Sequence, residues 1–220
     1  MNSQAEYHAE PSITLAGSVL GNKRHIAGFF CNLEEQYDVL LPFIKEGFDR
    51  RENAFHVVNP NLKQHHAKRL MAAGIDVAEA EKNGQYKLRD WDEVYYCDGC
   101  FDQDRMLSTW KDLLDPTGSK GFPPTRLVAQ MEWALEDRDG ASDLLEYEAR
   151  FNNIHRGSSD PVICIYDLSK FSAGVIGDAL RTHPMVIMGG LLQENPLYTP
   201  PEEFLREFLE RRLKDRQSGN

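Results

Sequence analysis

Short continuous apolar runs alternate with helical periodicity along most of the chain. His25-Ile26-Ala27-Gly28-Phe29-Phe30 predicts a buried strand. Asn32 then stands where a helix N-cap belongs, with Glu35 three residues on as its capping-box partner. Tyr37, Leu40, Leu41, Ile44 and Phe48 follow at helical spacing. Ala54 to Val58 predicts a second strand. Asn59-Pro60 suits an N-cap and a first-turn proline, opening a helix that ends near Gly74. Further strands are predicted at Tyr86 to Leu88, Thr125 to Met131, Pro161 to Tyr166 and Met185 to Leu192. Helices are predicted at Asp104 to Leu114, Asp143 to Ile154 and Ser172 to Leu180. A last helix follows Thr199-Pro200-Pro201, with Phe204, Leu205, Phe208 and Leu209 as its apolar stripe; the pattern leaves open whether that stripe packs on its own sheet or on a neighbouring subunit.

Strands that read as unbroken apolar runs belong to a mostly parallel sheet covered on both faces. The expected fold is therefore α/β, three-layered, with helices on both sides of a central sheet. In such sheets ligands bind beyond the carboxyl ends of the strands. Residues 1–22 lack periodicity and are expected to be a flexible leader, free to pair at a sheet edge. Residues 23–213 are expected to form one domain and 214–220 a frayed tail.

Composition narrows the function classes. Asp and Glu number 35 against 25 Lys and Arg, a net charge of −10. This argues against nucleic acid held by phosphate contacts and against an anionic membrane as partner. No apolar run approaches the roughly 20 residues that span a bilayer. Met1 to Gly21 carries Glu6 and Glu10 and no basic start, so it does not read as a signal peptide. A cytoplasmic location is expected, with Cys31, Cys97, Cys100 and Cys164 as free thiols.

The loop after the first strand, Phe30-Cys31-Asn32-Leu33-Glu34-Glu35, stands where a nucleotide-binding fold places its phosphate loop. It lacks the glycines, lysine and magnesium-binding hydroxyl that phosphate chemistry needs, and its two carboxylates repel phosphate. Cys97-Asp98-Gly99-Cys100 has the spacing of a redox pair or half a zinc knuckle, but a structural zinc site wants a second pair. The plainer alternative is two thiols in a turn. Glu146 suits the first turn of its helix by charge alone. Glu148 either faces solvent or points inward beside Tyr147 and Phe151, where burial would make it a ligand-binding or proton-binding group. His25 and His183 read as structural histidines, and Cys164 as an inert core thiol. No Ser or Cys lies in a recognisable nucleophile turn, so no triad can be built. Tyr166-Asp167 ends a strand where ligands sit, and Trp133 is similarly placed as core or pocket wall.

The ordered set of segments resembles a known family. It runs from His25-Ile26, Glu35 and Leu41-Pro42-Phe43-Ile44-Lys45-Glu46-Gly47 through Gly99-Cys100-Phe101-Asp102-Gln103-Asp104-Arg105-Met106-Leu107. It continues through Arg126, Met131-Glu132-Trp133-Ala134-Leu135, Glu146-Tyr147-Glu148-Ala149-Arg150-Phe151-Asn152 and Cys164-Ile165-Tyr166-Asp167, closing with His183-Pro184 and Asn195-Pro196. This set is similar to MEDS domains, the methanogen/methylotroph DcmR sensory domain, over roughly residues 24–205. The resemblance implies a KaiC/RecA-like fold with a decayed phosphate loop, and a sensor of small hydrocarbon derivatives in signalling or gene regulation. The chain departs from the family pattern at Cys31 and Cys100, and by carrying its carboxylate at Glu132 rather than near Gln130.

Together these readings predict a non-enzymatic sensor without a cofactor or resident metal. It binds a small molecule at the carboxyl edge of the sheet, lined by His25, Phe30, Trp133, Glu148, Tyr166 and Asp167. It signals through a downstream regulatory protein or self-association, with the segment Gly118 to Pro124 as a candidate moving loop. Three alternatives remain from the residues: an ATPase-derived, nucleotide-binding enzyme; a redox or metal switch at Cys97 and Cys100; and a purely structural interaction module.

Overall fold

The computed structural model describes residues 12–113 and 124–218. A hairpin of β1 (Thr14–Leu15) and β2 (Ser18–Val19) precedes β3 (His25–Phe30), α1 (Leu33–Asp49) and β4 (Asn53–Val58). Next come α2 (Lys63–Ala72), α3 (Val77–Lys82), β5 (Tyr86–Asp90), α4 (Trp91–Val94), α5 (Gln103–Leu113) and β6 (Thr125–Gln130). The chain continues through α6 (Leu144–His155), β7 (Val162–Asp167), α7 (Ala173–Thr182), β8 (Met185–Met188), β9 (Leu191–Glu194) and α8 (Pro201–Ser218).

Seven strands form one sheet in the order β5-β4-β6-β7-β3-β8-β9, all parallel except the β8–β9 pair. Side chains of successive residues leave a strand on opposite faces. Ala27 and Phe29 of β3, Leu127 and Ala129 of β6, and Cys164 and Tyr166 of β7 therefore enter one core with α5, α6 and α8. Ile26 and Phe30, Val128, and Ile163 and Ile165 enter the other, under α1, α2 and the hairpin. This is the three-layer α/β arrangement that the apolar runs predict.

Local chemistry explains the first strand–helix unit. Asn32 Oδ1 accepts from the Glu35 amide at 2.9 Å, and Glu35 Oε2 accepts from the Cys31 amide at 2.7 Å. The amides that a phosphate would use are thus met by the chain's own side chains.

The structure corrects several expectations. The described part of the leader, from residue 12, carries a hairpin whose Ile13, Leu15 and Leu20 are buried, so it is packed rather than loose. Helix α8 runs on to Ser218, past the expected start of fraying. Its Phe204 and Phe208 pack into this chain's own core, while Leu209 and Leu213 stay exposed. The single strand expected over Met185 to Leu192 is a hairpin, because Gly189 and Gly190 both take positive φ (58° and 76°) and turn the chain between β8 and β9. The short helices α3 and α4 carried too few turns to show a period. The proposed moving loop falls on residues 118–123, outside the described part.

Candidate functional site

Helix α6 places Glu148, Asn152 and His155 at i, i+4 and i+7, one inward stripe along its length. Glu148 is fully enclosed between α6 and the sheet. Its Oε2 lies 3.1 Å from His25 Nε2 at the start of β3 and 3.2 Å from His183 Nε2 just before β8. Cys164 Sγ, midway along β7, is 3.6 Å from both Glu148 Oε2 and His25 Nε2. All four side chains are buried, and their nearest donor atoms lie within 4.8 Å of one another.

Burial alone would raise the Glu148 carboxyl, but the hydrogen bonds and charge that His183 and His25 supply in their protonated form outweigh it and hold the group at about 2. Desolvation lowers His25, helped by the neighbouring His183 ring and opposed by Glu148. Burial, then Glu148, drives the Cys164 thiol well above its ordinary value. His155, pushed down to about 4 by burial, closes the stripe by bonding to the Asp160 carbonyl at 2.7 Å.

Beside this cluster, an enclosed cavity of about 10 Å³ is walled by Tyr95, Trp110, Tyr147 and Phe151 and floored by Glu148 and Cys164. That is room for roughly one water-sized molecule without rearrangement. Trp133 stacks on Tyr95 at 4.5 Å between ring centres and touches Phe101 at 4.4 Å, extending the aromatic wall. Among the described residues around the cluster, Glu148 Oε1, His183 Nε2, Trp133 Nε1 and the Tyr166 hydroxyl are buried without a hydrogen-bond partner. Each such group costs about 1–3 kcal/mol unless something satisfies it.

The six expected site residues divide. His25 and Glu148 meet directly. Tyr166 lies next to them, its ring 5.9 Å from that of His183. Trp133 joins the aromatic wall. Phe30 does not take part: strand alternation turns it into the opposite core, against Gly28 and α1. Asp167 stays at the carboxyl edge, bonded to Ser169 and paired with Lys170 at 3.4 Å. The cluster lies on the face of the sheet toward its amino end, not beyond its carboxyl ends, since His25 begins β3 and His183 precedes β8. Cys164 is buried as expected, yet it contacts a carboxylate and an imidazole rather than apolar atoms alone. His183, read as structural, is a full member. The available signal was the Glu148, Asn152, His155 stripe, three polar side chains on the apolar side of one helix. Cys97 is exposed and bonds to the Glu93 and Val94 carbonyls, and Cys100 is half-buried; both are free thiols.

The three-layer α/β sheet, a phosphate loop replaced by a capped helix start, and a buried polar cluster under one face define the class of this molecule. A solved structure of the uncharacterized Pyrococcus horikoshii protein PH0321, in complex with an unknown peptide, shares this fold: TM-score 0.57 at 12% identity, over 80% of this chain and 83% of that one. The KaiC-like protein PH0186 of the same organism aligns at TM-score 0.49 and 17% identity, over 75% of this chain and 70% of that one. Residues 24–184 match the MEDS family, the MEthanogen/methylotroph, DcmR Sensory domain, and the chain belongs to that family. It is 28% identical over 171 residues to the transcriptional repressor DcmR of Methylorubrum extorquens, an alignment covering 77% of this chain and 61% of the repressor. It is thus a member of a sensory-domain family, and it spans less than two thirds of the repressor's length. Among the described residues, no helix is long and apolar enough to cross a membrane.

Proposed function

We propose that this chain is a non-enzymatic sensor that binds a molecule of a few heavy atoms, derived from a simple hydrocarbon, against Glu148, the aromatic walls of the cavity parting to admit more than the one water-sized molecule it holds at rest. The enclosed cavity carries this reading: apolar rings form its walls, and one buried carboxylate with an unpartnered oxygen supplies a single polar anchor. Such a chamber selects by size and by one hydrogen bond. Family membership supports the sensory role, and the capped start of α1 supports the absence of nucleotide chemistry. Occupancy would shift the packing of α6 against β7 and so signal to a downstream regulatory protein or to a second copy of the chain.

The test is thermal denaturation and calorimetry of the full chain with methanol, methylamine, dimethyl sulfide and, separately, ATP with magnesium. At least one of the small probes should raise Tm, and Glu148→Gln should remove the effect. Turnover of ATP, or no response to any probe of this size, would overturn the reading.

A further inference from the structure

The tautomers of the two buried histidines are set by their outer partners. Asn152 Nδ2 donates to the carbonyls of Thr182 (2.7 Å) and Glu148 (3.1 Å), which leaves Asn152 Oδ1 as an acceptor. His25 Nδ1, 3.0 Å away, must therefore carry a hydrogen and donate to it. His183 Nδ1 lies 2.8 Å from the Ala179 carbonyl and donates there. Both rings in their neutral form then turn a bare Nε2 lone pair toward the same carboxylate oxygen, at 3.1 and 3.2 Å. Two imidazole lone pairs and a carboxylate oxygen at that separation repel one another unless a positive centre stands between them.

We propose that His25, Glu148, Cys164 and His183 bind one divalent transition-metal ion of the zinc, cobalt or ferrous class. A tetrahedral ion bonded at about 2.0–2.3 Å to nitrogen, oxygen and sulfur holds its donors roughly 3.3–3.7 Å apart. Four of the six donor–donor distances are 3.1, 3.2, 3.6 and 3.6 Å, and all six lie within 4.8 Å, so a modest contraction around the ion would complete the tetrahedron. The outer shell is also that of a metal site, each ligating imidazole giving its other N–H to an oxygen that fixes the ring. Two imidazoles, a thiol and one carboxylate suit a borderline-soft ion and not magnesium or calcium. On binding, Cys164 gives up its proton to solvent and coordinates as thiolate. Glu148 and Cys164 also floor the cavity, so the closed four-ligand site would lie directly beneath it. The site stands independently of the small-molecule reading.

The experiment is anaerobic titration of the chelator-stripped full chain with Co²⁺, with no organic probe present. One equivalent should give tetrahedral d–d absorption in the visible and a sulfur-to-cobalt charge-transfer band in the near ultraviolet. Cys164→Ser should lose the charge-transfer band and keep visible absorption, His183→Ala should lose both, and the Cys97→Ser/Cys100→Ser double variant should keep both. X-ray absorption on the wild-type cobalt complex needs no variant to fold, and should report one sulfur among nitrogen and oxygen ligands. No stoichiometric uptake, which would leave a protonated histidine as the positive centre, overturns the site. So does a first shell without sulfur, or a charge-transfer band that follows Cys97 and Cys100.

Discussion

Asn152 and His25 are joined by a 3.0 Å hydrogen bond in which the amide can only accept, because its nitrogen is committed to the Thr182 and Glu148 carbonyls. One side chain thus ties α6 to β3 and to the end of α7. Asn152→Ala removes three interactions and strands the His25 N–H in a dry interior. A loss of about 1–3 kcal/mol is expected, read as a lower urea midpoint with an unchanged slope. A midpoint within error of wild type would show that the His25 orientation is held by something else.

On the opposite face, a Cβ at Gly47 would stand 2.7 Å from Arg126 Cδ. Arg126 cannot yield, because its guanidinium is held by Glu52 at 2.5 Å, by Glu46 at 3.0 Å and by the Phe43 carbonyl. Gly47→Ala should therefore cost about 1–3 kcal/mol as overpacking. Arg126→Ala should cost more, about 3–5 kcal/mol, because it takes the close cation from buried Glu52, leaving it only Arg50 at 4.0 Å, and opens a void where the arginine stem packed. Equilibrium unfolding that ranked these two the other way would refute the account.

Acid sensitivity should arise from a second buried histidine pair. His66 Nε2 lies 2.8 Å from His56 Nδ1, and His66 Nδ1 lies 2.8 Å from the Tyr37 hydroxyl. Tyr86 faces His56, while His65, Arg69, Glu34 and Glu81 border the group. Burial holds His66 at about 4, with His65 contributing, and lowers His56 further. A folded-state value below the unfolded 6.5 means that the unfolded chain takes the proton first. Stability is then complete above about pH 6.5 and falls as pH drops toward 4, by up to about 3 kcal/mol from His66 alone. His155, His56 and His25 act in the same sense, so urea midpoints at pH 7.5 and 4.5 should still differ in His66→Gln, but by less than in wild type; an equal drop in both would remove His66 from the explanation.

Cavity size should set ligand size. Trp110 forms one wall of the chamber and donates from Nε1 to the Tyr147 hydroxyl at 2.7 Å. Trp110→Phe opens space there and costs about 1–3 kcal/mol through the lost bond and the void. Calorimetry with a homologous series of alkyl amines should show the optimum moving to a longer chain in the variant. An unmoved optimum would place the ligand elsewhere.

The sequence by itself determined the layers. Runs such as Ile163-Cys164-Ile165-Tyr166 and the Asn32/Glu35 cap are local signals, legible because hydrophobic period and capping act over a few residues. The failure of the phosphate loop was equally readable, since that chemistry needs particular residues in one short segment. Glu148 and His25 could be named singly as candidates. Only the tertiary structure decided that they meet, that His183 and Cys164 join them, and that Phe30 turns away. His25, Glu148, Cys164 and His183 come from β3, α6, β7 and the turn between α7 and β8, up to 158 residues apart in the chain. Their meeting depends on strand order, on which β7 and β8 flank β3, and on the two-residue alternation that assigns each side chain to a face. Neither is written in any window of sequence, because strand order comes from the packing of the whole sheet.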